Sequence, residues 1–458
     1  MSSYDAIVIG TGQSGPSLAR DLAAAGQRVA IIERGAFGGT CINTGCTPTK
    51  TLIATARVAH LARRAAEFGV SIPEPVTVDL ARAKARKDAI VREWSAGKEA
   101  SLRDTPNCTV HKGHARFVSP HEVAVGGVVL GAARIFINVG ARAVPPPIPG
   151  LDRVPHLTNS SMLELDTLPA HLVIIGGSYI GLEFGQMYRR FGAEVTIIES
   201  APRLVVREDE EISAAVREVL EAEGVRVHAA ARTVTVAGDA EGISVQLDTA
   251  SGPARAEGSH LLIAAGRRPN TDDLGLEQAG VAVDKRGHIQ VDDTLRTSVP
   301  HIWALGDCNG RGAFTHTSYN DYEIVAGNLL RGQDRKVTER VTAYALYTDP
   351  PLGRAGMTET EARAAGKRVL TARMPMADVG RAIERSETAG LMKLVADADT
   401  RQILGAAILG IGGDEAIHCI IDVIQARAPY TTLQRAVHIH PTVAEYWPVL
   451  AGELEAGA

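Results

Sequence analysis

Residues 6–34 read AIVIGTGQSGPSLARDLAAAGQRVAIIER, and this stretch decides the fold. Ala6 to Ile9 run apolar without alternation into Gly10, the pattern of a strand buried on both faces. A helical stretch leaves the Gly10-Thr11-Gly12-Gln13-Ser14-Gly15 turn, Gly26 breaks it, and a second apolar strand ends in Glu33. That is a βαβ unit. Gly10 permits the tight turn, Gly12 lets the backbone approach a pyrophosphate, and Gly15 lets the helix pack close to the strand. A pyrophosphate at this turn meets free N–H groups and the positive end of a helix dipole. Glu33 stands where an acid binds ribose hydroxyls.

The pattern occurs twice. Residues 172–200 read LVIIGGSYIGLEFGQMYRRFGAEVTIIES. A shift of 166 positions lays Gly10 on Gly176, Gly15 on Gly181, Gly26 on Gly192 and Glu33 on Glu199. A single G-x-G-x-x-G is weak evidence, and ordinary glycine turns are its plainer reading. Two copies in strand–turn–helix context, with an acid at the same offset, point to two dinucleotides. The second copy departs at its middle glycine, which is Ser178, small enough to leave room for the phosphates. A nicotinamide nucleotide delivers a hydride and a flavin accepts one.

Beyond the first unit the chain runs Gly39-Thr40-Cys41-Ile42-Asn43-Thr44-Gly45-Cys46-Thr47-Pro48-Thr49-Lys50, then a helical stretch through Ala54, Val58 and Leu61. The C-x-x-x-x-C spacing is not the C-x-x-C of zinc or thioredoxin sites. Pro48 suits a first helical turn, which puts Cys46 at a helix N-terminus. The dipole there favours a thiolate. A structural zinc would need more ligands than the local sequence offers.

Composition agrees with a globular enzyme. The 458 residues carry 48 Lys and Arg against 53 Asp and Glu, a net charge of −5, which argues against a nucleic-acid binder. The basic stretch Ala81 to Arg92 reads as an exposed helix face instead. Hydrophobic residues are 45% and charged residues 22%, so intrinsic disorder is excluded. Five cysteines in this length do not make a disulfide scaffold. No signal peptide stands before Ala6, and the longest apolar stretches, such as Ile403 to Ile411, fall short of the ~20 residues of a membrane helix. A soluble, cytoplasmic protein with no membrane partner is the expectation, and any disulfide in it is catalytic rather than structural.

The chain resembles the class I pyridine nucleotide–disulfide oxidoreductases, the family of dihydrolipoamide dehydrogenase, glutathione reductase and mercuric reductase. Gly39 to Lys50 resembles their redox motif. Asn138-Val139-Gly140-Ala141 through Ile148-Pro149-Gly150 resembles the crossover into the nicotinamide domain, and Ala265-Gly266-Arg267-Arg268-Pro269-Asn270 the exit from it. Ile302 to Asn309, with Gly306-Asp307, resembles the second flavin motif. His438-Ile439-His440-Pro441-Thr442 with Glu445 resembles the C-terminal base motif.

The resemblance implies an α/β fold. Two Rossmann-like domains, for FAD and NAD(P), precede a C-terminal α+β dimerisation domain. Its expected segments are 1–147 (flavin), 148–265 (nicotinamide), 266–332 (flavin again) and 333–458 (interface). It implies a Cys41–Cys46 redox disulfide, with Cys46 against the flavin and Cys41 meeting substrate. Lys50 would lie near the flavin N5 and pair with Glu183. Tyr179 would cover the nicotinamide pocket until the nucleotide displaces it. Asp307 would bind the ribityl chain, and Gly10, Gly12, Gly15, Glu33, Gly39, Thr40, Ala115 and Thr315 would complete the FAD site. Gly176, Ser178, Gly181, Glu199 and Gly266 would hold NAD(P). His440, oriented by Glu445, would be the acid–base group, supplied by the other subunit of a homodimer.

Glu199 favours NADH, because an acid there binds the 2′-OH and repels a 2′-phosphate; Arg203 and Arg207 nearby are what an NADPH enzyme would use. The expected activity moves electrons from NAD(P)H through FAD and the dithiol to a small disulfide or another thiol-reactive acceptor. Reduction of Hg(II) or Cu(II), the E3 role in a 2-oxoacid dehydrogenase complex, and redox sensing are the alternatives. The tail after Trp447 lacks the Cys-Cys pair of mercuric reductases proper. Cys108, Cys308 and Cys419 read as small apolar fillers.

Overall fold

The computed structural model of the protein describes residues 2–73, 75–239 and 242–456. These form two compact units. One takes Met1–Thr51, Ala81–Pro146 and Gly266–Arg340; the other takes Leu52–Leu80, Pro147–Ala265 and Val341–Ala458.

The first unit is built on a parallel sheet ordered Cys108–Lys112, Val29–Glu33, Ser2–Ile9, Val128–Ile137, with Ile302–Ala304 beside the last. Successive side chains of a strand point to opposite faces. Ile7 and Ile9 thus enter one core with Val123, Leu130 and Ile135, and Ala6 and Val8 enter another with Leu18, Leu22 and Trp303. Both faces are covered, which is why the strand reads as an unbroken apolar run. The helix Gly15–Ala24 opens with Pro16 in its first turn and buries Leu18, Ala19, Leu22 and Ala23. An antiparallel meander, Arg116–Ser119 and Glu122–Val125, leads into Val128–Ile137 without a break.

The second unit repeats the plan. Arg226–His228, Glu194–Ile198, His171–Ile175 and His260–Ile263 lie parallel in that order. A meander again precedes the last strand, Arg232–Gly238, Ile243–Thr249 and Gly252–Gly258, but here the chain breaks at Ser259 before it resumes. The same unit holds a six-stranded antiparallel sheet ordered Ala343–Leu346, Leu352–Gly356, Ile403–Leu409, Leu391–Asp397, Val369–Pro375, Glu455–Ala456. The helices His418–Gln425 and Tyr446–Gly452 cover it around the fully buried Trp447. The helical stretch before His418–Gln425 is a separate short piece, Gly413–Ala416.

One expectation needs correction. The basic stretch at Ala81–Arg92 does lie in a helix, Leu80–Arg103, but not all of it is exposed. Lys87 is buried and pairs with the neighbouring Asp88, so its long apolar stem helps fill the core. Of the other cysteines, Cys308 is fully buried, while Cys108 and Cys419 are half-buried against hydrophobic cores. Among the described residues no helix is long and apolar enough to cross a membrane.

Candidate active site

In the first unit the strand Ser2–Ile9 delivers the glycine turn to the start of its helix. The helix is headed by Ser14, which makes no side-chain cap bond, so the first-turn N–H groups are not capped by it. A Cβ on Gly12 would lie 2.8 Å from Asn138 Oδ1, and one on Gly15 would collide with the Gly10 carbonyl. Glu33 closes the turn from the strand end. Its Oε2 accepts from Thr11 N at 2.9 Å and Thr11 Oγ1 at 2.6 Å, and its Oε1 accepts from Gly35 N at 2.7 Å. Thr11 Oγ1 in turn accepts from Gly38 N at 3.1 Å, tying the turn to the loop that leads to the cysteines. Gly39 then passes so close that a Cβ on it would meet the Gly12 Cα at 2.9 Å. A glycine turn that presents no side chain at positions 10, 12 and 15, a helix start that its own Ser14 does not cap and a carboxylate at the strand end fit a dinucleotide such as FAD.

Asp307 lies in the short helical turn Gly306–Asn309. Burial pushes its carboxyl up, and Arg267, 3.2 Å away, works against that rise. Ala115 is buried in the core beneath the meander.

Cys41 sits on a short helix, Gly39–Asn43, with Thr40 exposed beside it. Cys46 is the first residue of the long helix Cys46–Arg63. Both are free thiols, and they share a hydrogen bond. Cys46 Sγ also lies 3.1 Å from Thr315 Oγ1, the first residue of the helix Thr315–Arg331. The Cys41 bond, then the Thr315 bond and the charge of Lys50, lower Cys46 to about 6 against the opposing effect of burial. The same partnership, with burial, pushes Cys41 upward. The pair therefore holds one proton on Cys41 and a thiolate on Cys46 near neutral pH.

The second unit carries the second turn. The helix Tyr179–Phe191 is headed by Ser178, again without a side-chain cap bond. Glu199 Oε2 accepts from Gly177 N at 2.6 Å and Oε1 from Ala201 N at 2.6 Å. Gly181 packs so tightly that a Cβ would collide with the Gly176 carbonyl. Arg203 is engaged with backbone, its Nη2 donating to the carbonyls of Glu208 at 3.1 Å and Val206 at 3.4 Å, while Arg207 is exposed. Glu183 is buried and accepts from Tyr347 N at 3.0 Å. In the interface fold, His440 Nδ1 lies 3.1 Å from Glu445 Oε2, and Thr442 N donates to Glu445 Oε1 at 3.3 Å. The His440 side chain is 80% exposed, and its neighbours Val437 and Ile439 are exposed as well.

Several working residues escape motif reading. Asn138 accepts from Gly15 N at 3.1 Å and donates to the Leu305 carbonyl at 2.9 Å, joining the glycine turn to the flavin-motif strand. Ser14 Oγ donates to the Ser318 carbonyl at 2.5 Å. Asp321, buried, accepts from Gly306 N at 2.8 Å and from Asn309 Nδ2 at 2.9 Å, and pairs with Arg340. Each is a buried polar group satisfied by a distant partner. Thr11 and Ser14 stand inside the glycine motif and Asn138 opens the crossover motif, yet none of those patterns names their distant partners. Among the described residues no group of three or more His, Cys, Asp or Glu is placed to hold a metal ion.

Comparison with known proteins agrees with this geometry. Residues 4–321 match the pyridine nucleotide-disulphide oxidoreductase family, and 342–451 match its dimerisation domain. The chain is 38% identical to "Probable pyridine nucleotide-disulfide oxidoreductase RclA" of Escherichia coli (strain K12), over 97% of this chain and 98% of that one. It is 35% identical to a mercuric reductase of Bacillus cereus over 95% of this chain and 70% of that one. The Cu(II) complex of HOCl-induced flavoprotein disulfide reductase RclA from Escherichia coli superposes with a TM-score of 0.90 at 36% identity, covering 99% of this chain and 100% of that one. The chain belongs to the pyridine nucleotide-disulphide oxidoreductases. It is an NAD(P)H-dependent flavoprotein oxidoreductase, with FAD and a pyridine nucleotide as cofactors and a dimerisation domain that makes it a homodimer.

Proposed function

We propose that this pyridine nucleotide-disulphide oxidoreductase draws electrons from NADH and delivers them through Cys41 and Cys46 to a disulfide or another thiol-reactive oxidant. The observation that carries the reading is the thiol pair itself, a Cys46 thiolate held at about 6 between Cys41, Thr315 and Lys50. FAD, when bound, supplies a ring that takes a hydride and gives up an electron pair. Gly10, Gly12 and Gly15 would leave its pyrophosphate room at the helix start, Glu33 would face its ribose, and Asp307 its ribityl chain. Gly39, Thr40, Ala115 and Thr315 complete that site. Gly176, Ser178, Gly181 and Gly266 serve the nicotinamide nucleotide. Glu199 selects NADH, and Arg203 is spent on backbone carbonyls rather than free for a 2′-phosphate.

Cys41 meets the acceptor. Its thiol is raised above the ordinary range, so it needs a base before it can attack. His440, with its Nδ1 directed at Glu445, supplies that base. The Cys41 thiolate attacks one sulfur of the substrate disulfide, forming a mixed disulfide, and His440 protonates the thiolate that leaves. Cys46 then attacks Cys41, releasing the second substrate thiol and closing the Cys41–Cys46 disulfide. The exposed His440 faces the partner subunit, so each dithiol takes its base from the other chain.

Metal-ion reduction is the second reading. It is favoured by the mercuric reductase likeness and by the relative solved as a Cu(II) complex. NADH consumption with lipoamide, glutathione disulfide, Hg(II) and Cu(II) separates the two. Turnover with a disulfide sustains the first, and turnover with metal ions alone replaces it with the second. The shared site is tested with mixed dimers pairing His440→Ala with the Cys41→Ser, Cys46→Ser double variant. Recovery toward half of wild-type activity supports a base given in trans; activity no higher than the parents' removes it.

A further inference from the structure

Within the second unit, Tyr179 at the start of its glycine helix packs edge-on against Tyr344, ring centroids 5.6 Å apart at 80°. The two hydroxyls share a hydrogen bond. Tyr344 has one hydroxyl proton, and it is donated to Glu208 Oε1 at 2.7 Å, so Tyr179 is the donor in the bond between them. The far end of this chain is anchored. Glu208 Oε2 accepts from Arg354 Nε at 3.0 Å and from Arg354 Nη2, and both side chains are essentially sealed from solvent. Asp209 lies 3.8 Å from the same guanidinium and accepts Lys393 Nζ at 3.1 Å.

Glu208 is fixed from its backbone side too. Glu208 N donates to the Val205 carbonyl, and Val205 N donates to the Gly177 carbonyl of the glycine turn. Val205 is β-branched yet sits at φ +39°, in the left-handed region such residues avoid. A conformation of that kind persists where its surroundings hold it on both sides. Burial lifts both tyrosine hydroxyls, Tyr179 to about 12, so each stays protonated and able to donate at neutral pH.

We infer that Tyr344 is a positioning residue for nicotinamide entry: anchored by Glu208 and Arg354, it holds the Tyr179 ring in its resting place as a latch. This rests on the reading of Tyr179 as the cover of the nicotinamide pocket. An incoming nucleotide must break the Tyr179–Tyr344 hydrogen bond and ring contact, whereas the Tyr344–Glu208–Arg354 anchor stays made. The latch thus sets how much of the nucleotide's binding energy goes into opening the cover.

The test is a double-mutant cycle on the holoenzyme, reading KM for NADH and kcat separately. Tyr344→Phe deletes the hydroxyl contact shared with Tyr179 together with the bond to Glu208, keeps the ring, and should lower KM by about 2- to 12-fold, the worth of one net hydrogen bond to Tyr179, with kcat less affected. Tyr179→Phe removes the same bond from the other end and should do the same. Combined, the two should do no more than either alone. Tyr344→Leu, which removes the ring contact as well, should lower KM at least as far, and should have no effect on KM in a Tyr179→Ala background. Additive effects, or a KM shift by Tyr344→Leu that survives in Tyr179→Ala, would show a general structural role and overturn the latch. If Tyr179→Ala itself leaves KM for NADH unchanged, the cover reading fails first. If Tyr179→Ala lowers it while both Phe variants do not, the cover stands and the latch alone falls.

Discussion

The two glycine turns are copies in backbone and differ in what stands behind them. Glu33 and Glu199 each accept from the residue after the first glycine and from the residue two positions beyond themselves. Behind the first turn stands Asn138, whose Oδ1 would lie 2.8 Å from a Cβ at position 12. Behind the second, the corresponding backbone belongs to Ala264, which has no amide to collide with. Ser178 is therefore no erosion of the motif. The second turn carries a side chain at its middle position and has alanine where the first has Asn138. The turns also lead to different places: the first is tied through Thr11 and Gly38 to the cysteine loop, the second through Val205 to the buried Glu208.

The difference is broken most sharply at the cysteines, which only the first turn feeds. Cys46→Ser should bring acceptor reduction to background. It should also abolish the long-wavelength thiolate–flavin band expected on anaerobic reduction with NADH, while Cys41→Ser should show that band before any reduction. Because Cys46 is lowered, its thiolate dominates above about 6 and is lost as pH falls through that value. In a spectral titration of Cys41→Ser the midpoint should lie between about 6 and the ordinary thiol value near 8.5, since the Cys41 hydrogen bond is altered there. A midpoint at or above the ordinary value would remove the assignment of Cys46 as the stabilised thiolate.

Next in size is a transplant. Gly12→Ser copies the second turn into the first and should produce protein purified largely without FAD, read from its flavin-to-protein absorbance ratio. Adding Asn138→Ala should recover part of the flavin content. The recovery should be incomplete, since Asn138 also serves Gly15 N and the Leu305 carbonyl, each bond worth about 1 kcal/mol. Full flavin content in Gly12→Ser alone would show that the middle glycines are interchangeable after all.

At the second turn, Glu199→Ala should lower the ratio of kcat/KM with NADH to that with NADPH by roughly tenfold, the worth of a charge-assisted hydrogen bond, if Glu199 is the selector proposed above. An unchanged ratio would place nucleotide choice elsewhere, with Arg207 the next group to test. The smallest effect belongs to Ser178→Gly, the reverse transplant. With no counterpart of Asn138 to relieve, it should alter stability by no more than about 0.5–1 kcal/mol, the backbone cost of an added glycine, as read by thermal unfolding.

What was legible in the sequence was local. The glycine spacings, the acid at each strand end, the two cysteines and the helix start at Cys46 all lie within short windows, and the shift of 166 residues exposed the duplication. What was not legible depends on strand order. Asn138 reaches Gly15 from 123 residues away, and Thr315 reaches Cys46 from 269 away. A single sequence carries no local signal for such meetings; the first exists because Val128–Ile137 lies beside Ser2–Ile9 in the sheet. Thr315 was expected among the flavin contacts and was not linked to the sulfur. The Tyr344–Glu208–Arg354 chain gave no motif at all, because its members earn their roles by burial rather than by spacing.

The placement of Ile302–Ala304 carries a further consequence, for the order in which the chain is made. This strand pairs with Ile135–Ile137 at the C-terminal end of Val128–Ile137. Its partner leaves the ribosome about 165 residues earlier, on the order of ten to thirty seconds at ~5–20 residues per second. Through that interval the end of Val128–Ile137 presents an open, apolar strand edge, the kind that recruits other chains. The second glycine fold, Pro147–Ala265, emerges within the same interval and can close its own sheet without waiting. Synthesis speed then sets how long this edge stays open, and slowing translation before residue 302 should lower the soluble yield.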